Sequence, residues 1–127
     1  DTITAAEPIG PKKLFDVLVV APCTGNTLAK LAHGITDTPV TMAVKSHLRG
    51  EKPVVIAVST NDGLSGSAAN LGTQLGRRHF SFVPLRQDAP LAKPRSLVAD
   101  MERLPETIGA ALEGRQLQPI LLAPGKG

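Results

Sequence analysis

Asn26 and Asn61 stand where strand-like apolar runs give way to polar turns, and their amides frame the chemistry open to this chain. Asn26 lies in Pro22-Cys23-Thr24-Gly25-Asn26-Thr27, just after the run Val17 to Ala21. Asn61 lies in Ser59-Thr60-Asn61-Asp62-Gly63, just after Val54 to Val58. A third polar loop, Arg86-Gln87-Asp88, follows the segment His79 to Leu85. If these runs form a parallel sheet, all three loops open on one edge, where α/β sheets bind ligands. The amides of Asn26, Asn61 and Gln87 and the hydroxyls of Thr24, Thr27, Ser59 and Thr60 both donate and accept hydrogen bonds. Such a set suits a neutral polar ring or a ribityl chain. Each of these residues, taken singly, is equally well an ordinary turn or cap residue.

Other reactive side chains offer less. Cys23 follows a buried run with no histidine beside it to act as base, so a small buried thiol is the simpler reading. His33 and His47 fall in the last turns of expected helices, where a cation is favoured. Lys45, Arg86, Lys93 and Arg95 could meet an acidic substrate or simply be solvated. Asp37, Asp62 and Asp88 form no readable carboxylate pair or metal site. The chain carries neither a Walker loop nor G-x-G-x-x-G, which disfavours a nucleotide triphosphatase or a self-contained dinucleotide dehydrogenase.

The elements that must position these residues follow from periodicity. Val17 to Ala21 is a short, β-branched, continuous apolar run, the mark of a strand covered on both faces. Leu28, Leu31, Ala32 and Ile35 then recur with helical spacing, and Gly34 is the expected C-cap. Asp37 or Thr38 caps a second helix with Pro39 at its first position, Val40, Val44 and Leu48 on its apolar face, and Gly50 at its end. A second strand spans Pro53 to Ser59. A short helix is marked by Leu71 and Leu75, and His79 to Leu85 alternates as a third strand. Leu97, Met101, Leu104, Ile108, Ala111 and Leu112 predict a long helix with a kink or restart at Pro105. Pro119 to Ala123 is a candidate last strand. Residues 1–13, with Pro8, Gly10 and Pro11, read as a linker or tail, and 124–127 as a tail. Strands alternating with helices predict an α/β layered fold with a parallel sheet.

Composition bounds the rest. The chain has 127 residues, 42% of them apolar, which is the size of one domain with a real core. No apolar run approaches the roughly 20 residues of a membrane-spanning helix. The net charge of +3 is dispersed, and there is no Trp, no Tyr and only 3 Phe, which argues against a nucleic-acid binder. One cysteine excludes an internal disulfide and points to a reduced, cytoplasmic compartment.

Ala21-Pro-Cys-Thr-Gly-Asn-Thr-Leu-Ala-Lys-Leu-Ala-His-Gly-Ile-Thr-Asp37 resembles the Ala-Pro-Ala-(Thr/Ser)-Ala-Asn-Thr-Ile-Ala-Lys-Leu-Ala-x-Gly-Ile-Ala-Asp signature of the homo-oligomeric flavin-containing cysteine decarboxylase superfamily. Val58-Ser-Thr-Asn-Asp-Gly-Leu64, Phe82-Val-Pro84, Gln87-Asp88, Lys93-Pro94, Ser96 to Met101 and Ala110 to Gly114 also resemble a branch of it from spore-forming bacteria. The likeness implies a three-layer, Rossmann-like flavoprotein fold over residues 14–123. It implies that Pro22, Cys23, Thr24, Gly25, Asn26, Thr27, Ser59, Thr60 and Gln87 touch FMN, and that Asn26 and Asn61 act on the substrate. Relatives carry Pro-Ala-Met-Asn where this chain has Ser59-Thr60-Asn61, which keeps the asparagine but counts against a cysteine-type decarboxylation. Relatives also begin with a strand, a Gly-Ser loop for the flavin phosphate and a helix. These should precede residue 1, so the chain reads as the C-terminal two-thirds of its protein, with weak flavin affinity. The branch implies one component of an oxidoreductase for a small dicarboxylate, with NADP supplied by a dinucleotide-binding partner. The alternatives are an FMN-dependent decarboxylase and a non-catalytic assembly subunit.

Overall fold

The computed structural model describes residues 3–6 and 17–125. Its centre is three parallel strands: β2 (Val17–Cys23), β3 (Val54–Thr60) and β4 (Phe80–Phe82). β2 and β3 alternate their side chains between two faces, and both faces are covered. One face carries Leu18, Val20, Val54, Ile56, Val58, Phe80 and Phe82. It packs on Leu28 and Leu31 of α1 (Gly25–His33), Val40 and Val44 of α2 (Pro39–Arg49) and Leu71 of α3 (Ala68–Leu75). The other face carries Val17, Val19, Val55, Ala57 and Val83 and packs on α4 (Leu104–Leu112) through Leu104, Ile108, Ala111 and Leu112. This double coverage explains why the strands read as continuous apolar runs. The result is the three-layer α/β, Rossmann-like arrangement expected from the sequence.

The remaining strands are antiparallel to their neighbours. β1 (Ile3–Ala6) pairs with β2, so a strand lies inside the segment read as a linker or tail; the rest of residues 1–13 falls outside the described residues. β6 (Leu97–Ala99) pairs with Ser59 and Thr60 at the end of β3, and β5 (Leu85–Arg86) pairs with β6. The sheet is therefore mixed, with antiparallel strands flanking the parallel core that was expected. The helix expected from Leu97 to Leu112 is corrected. Leu97 to Ala99 is strand, Met101–Arg103 is a 3-10 turn capped by Asp100, and α4 restarts at Leu104 with Pro105 in its first turn. Leu97, Met101 and Leu104 mimic helical spacing, yet only Leu97 of the three is buried, and it is buried by the sheet. The expected third strand is two short strands separated at Val83-Pro84, because Pro84 has no N–H for a ladder. The expected last strand reduces to one parallel bridge, Leu121 with Leu85.

Local caps hold the first two helices. Thr24 caps α1, its Oγ1 accepting from Thr27 N–H at 3.4 Å, and Gly34 ends the helix in the left-handed region at φ 71°. Thr38 and Thr41 form a reciprocal capping box at α2, with Pro39 in its first turn. Gln116 seals the free edge of β4 like a neighbouring strand: its Oε1 accepts from Phe82 N–H at 2.7 Å and its Nε2 donates to Phe82 C=O at 2.6 Å.

Candidate functional site

β2 and β3 end side by side, and the chain leaves each in a polar loop. Beyond Val20 the register slips, so that Cys23 rather than Pro22 comes opposite Val58. This delivers Thr24 to the sheet edge, where it starts α1. The first amides of that helix, at Gly25 and Asn26, have no acceptor within the helix, as at any helix start. Only a residue without a side chain fits at position 25: a Cβ there would lie 2.9 Å from Ser67 Oγ and 3.1 Å from Thr60 Oγ1. The start of α1 thus presses directly against the loop after β3.

That loop is organised by Asp62. Its Oδ1 accepts from Thr60 Oγ1 at 2.6 Å and from Ser67 Oγ at 2.7 Å. These two hydroxyls hold the Asp62 carboxyl below its ordinary value of 3.8. Gly63 follows, packed so closely on Leu97 that a Cβ would meet its side chain at 2.9 Å. The antiparallel β6 therefore closes one wall of the site.

The outcome is a cleft of about 380 Å³, within the ordinary range of ligand sites, lined by Thr24, Gly25, Ser59, Thr60, Asn61, Asp88, Lys93, Ser96 and Val98. All three loops expected to converge do so. Of the residues singled out from sequence, Thr24, Gly25, Ser59, Thr60 and Asn61 line the cleft. Thr27 is buried behind it, its N–H held by the Thr24 cap. Asn26 and Pro22 are exposed but are not part of the cleft lining. Gln87 turns its amide to the Pro94 carbonyl at 3.0 Å and so braces the 86–95 loop. Cys23 is fully buried in the core, and that burial pushes its thiol up to about 12. A thiol so held is no nucleophile at neutral pH.

Asp88, read from the sequence as part of the third polar loop, and Lys93, read as a cation that could meet an acidic substrate, also line the cleft. Asp88 places one carboxylate oxygen out of solvent with no hydrogen-bond partner. Ser96 and Val98 were missed altogether, since the apparent helical spacing from Leu97 hid the strand that brings them here. No group of three or more His, Cys, Asp or Glu among the described residues is placed to hold a metal.

Residues 2–71 match the Flavoprotein family. The chain belongs to the Flavoprotein family. The matched span includes β2, α1, β3 and the loops at their ends, and so supplies Thr24, Gly25, Ser59, Thr60 and Asn61 of the cleft, while Asp88, Lys93, Ser96 and Val98 lie beyond it. Over all 127 residues the chain is 47% identical to the B-type subunit of dipicolinate synthase from Bacillus subtilis, of which it spans 64%. It is 33% identical over 78 residues, or 60% of the chain, to a dihydromethanopterin reductase (acceptor) of Methanosarcina mazei, covering 32% of that protein. Among solved structures it superposes on the B-type subunit of dipicolinate synthase from Bacillus halodurans with a TM-score of 0.84 and 50% identity, over 91% of this chain and 60% of that one. The FMN-dependent cysteine decarboxylase SpaF gives a TM-score of 0.53 at 28% identity, over 76% of this chain and 53% of that one. This Flavoprotein chain thus spans less than two thirds of each of these relatives.

Proposed function

We propose that this chain is part of a B-type subunit of dipicolinate synthase that binds a flavin in the cleft at the ends of β2 and β3. It would work with the dinucleotide-binding A-type subunit of that enzyme, the source of NADP, in oxidising dihydrodipicolinate to dipicolinate during sporulation. A homo-oligomer in the mother-cell cytoplasm completes the proposal. The observation that carries it is the convergence of Thr24, Ser59, Thr60 and Asn61, all uncharged donors and acceptors, on one cleft in a Flavoprotein chain. This donor set fits the alternating carbonyl and N–H edge of an isoalloxazine ring, which needs pairing without charge. FMN, when bound, would supply a two-electron acceptor.

The chain's own residues would bind and orient. Thr24, Ser59 and Thr60 would hold the ring edge, with Pro22, Cys23, Gly25, Thr27 and Gln87 shaping the loops behind it. Asn61 would steer the substrate from the cleft lining and Asn26 from the helix start. Neither amide accepts a proton, so each is assigned orientation and not base catalysis.

The buried, un-ionised Cys23 and the position of Asn26 outside the cleft favour a second reading, a non-catalytic protein that assembles with the A-type subunit and stabilises it. A decarboxylase is the third, supported by the likeness to SpaF alone. Titration with FMN separates the flavin readings from the assembly reading, and release of carbon dioxide from an acyl-cysteine substrate would mark the decarboxylase. The chain has neither Trp nor Tyr, so flavin emission is read against little background. Saturable quenching, weakened at least tenfold by Ser59→Ala, is expected. Full activity of an Asn26→Ala/Asn61→Ala protein mixed with the A-type partner would overturn the substrate-orienting role and leave assembly.

A further inference from the structure

The cleft continues into a recess lined by Asn61, Lys93, Pro94 and Arg95. Other cations among the described residues, Lys30 with Asp37 and Arg86 and Arg103 with Asp100, are in ion pairs. Lys93 and Arg95 have no such partner among the described residues, nor does the Asn61 amide have a side-chain hydrogen bond there. Flexible surface cations are normally worth little, because holding them costs side-chain entropy and water screens them. Here the backbone beneath them is held by bonds within the 87–96 segment and by one from the loop after β3. Lys93 N–H donates to Ala89 C=O at 2.6 Å, and Pro94 C=O accepts from Gln87 Nε2 at 3.0 Å. Arg95 C=O accepts from Leu64 N–H at 3.0 Å, and Ser96 N–H donates to Lys93 C=O at 3.2 Å. Pro90 and Pro94 stiffen the loop further. Asp88 shares the cleft with Lys93 but is not among the residues of the recess.

We infer that Asn61, Lys93 and Arg95 form a carboxylate-binding subsite that holds a small dicarboxylate beside the cleft. The inference deepens the proposed function and rests on it for the substrate class alone. Arg95 offers the planar fork that matches a carboxylate, Lys93 a point charge and Asn61 an N–H donor, the last two lining both the recess and the cleft. Two cations separated by one proline suit two anionic groups on one small frame better than a single charge.

The test is calorimetric titration of the whole chain with pyridine-2,6-dicarboxylate at low salt. Wild type should bind, and Lys93→Gln/Arg95→Gln should bind at least tenfold more weakly. Both side chains are exposed, so the fold should be unchanged, which the melting temperature checks. Failure of wild type to bind overturns the subsite, as does a double variant within twofold of it. Inorganic phosphate competing at equal concentration would mark a phosphate cradle and overturn the carboxylate assignment. FMN titrated into the same proteins reads the flavin proposal separately: loss of flavin binding with dicarboxylate binding intact sinks that proposal and leaves the subsite standing.

Discussion

Cys23 and Asp62 show how the same stretch of sheet edge sets opposite protonation behaviour. Cys23 ends β2 inside the core, and desolvation raises its pKa from 9.0 to about 12. The folded state therefore keeps a proton that the unfolded chain gives up. That stability is complete below pH 9.0 and is lost as pH rises toward 12. A disulfide reagent at pH 8 should leave native Cys23 unmodified and label it rapidly in denaturant; rapid labelling of the native protein would contradict the burial. Asp62 is the reverse case. Its carboxylate is stabilised by the Thr60 and Ser67 hydroxyls, so its contribution is present above pH 3.8 and fades as pH falls through the lowered native value. Ser67→Ala should raise the Asp62 titration midpoint in a carbon-13 NMR experiment toward 3.8, with Thr60 alone left to donate.

Among the secondary-structure elements, caps and edge seals matter because most of these elements are short. Thr38→Ala removes the hydroxyl that accepts from Thr41 N–H, keeps the bond from Thr38 N–H to Thr41 Oγ1, and should cost about 1 kcal/mol in urea unfolding. Gln116→Ala strips the outer edge of β4, leaving the buried Phe82 N–H and C=O without their partner; about 1–3 kcal/mol is expected. A smaller loss there would mean water takes over the amide's place. Gly34, Thr38 and Pro39 were legible as cap signals because capping is local chemistry, decided within four residues. Gln116 was not, since its partner lies 34 residues away.

Across the molecule, the contact of Gly63 with Leu97 joins the parallel core to the antiparallel flank that walls the cleft. Gly63→Ala would drive a methyl into the Leu97 side chain and should cost about 1–3 kcal/mol by overpacking. It should also displace Ser96 and Val98, so flavin affinity is expected to fall with stability; unchanged affinity would show that β6 does not shape the site. Burial of Leu28 between α1 and the sheet is the larger lever on the core, and Leu28→Ala should cost about 2–5 kcal/mol in the same unfolding experiment.

The parallel core, the helices α1 to α3, their caps, and the meeting of the loops after β2 and β3 are all written in local sequence. Continuous β-branched runs have few alternatives to strands buried on both faces, and parallel strands bring their loops to one edge. The antiparallel flank and the far wall of the site emerge only from long-range packing. Leu97, Met101 and Leu104 carry a helical period, but Ser59 and Thr60 offer Leu97 and Val98 a ladder that a helix would leave unpaired. The same pairing brings Ser96 and Val98 to the cleft beside Lys93, while the Gln87 and Leu64 contacts pin the loop that carries Lys93 and Arg95. Asn26 and Gln87 moved the other way, one to the exposed start of α1 and one into the bracing of a loop, because what an amide pairs with is set by long-range packing and not by its neighbours in the chain.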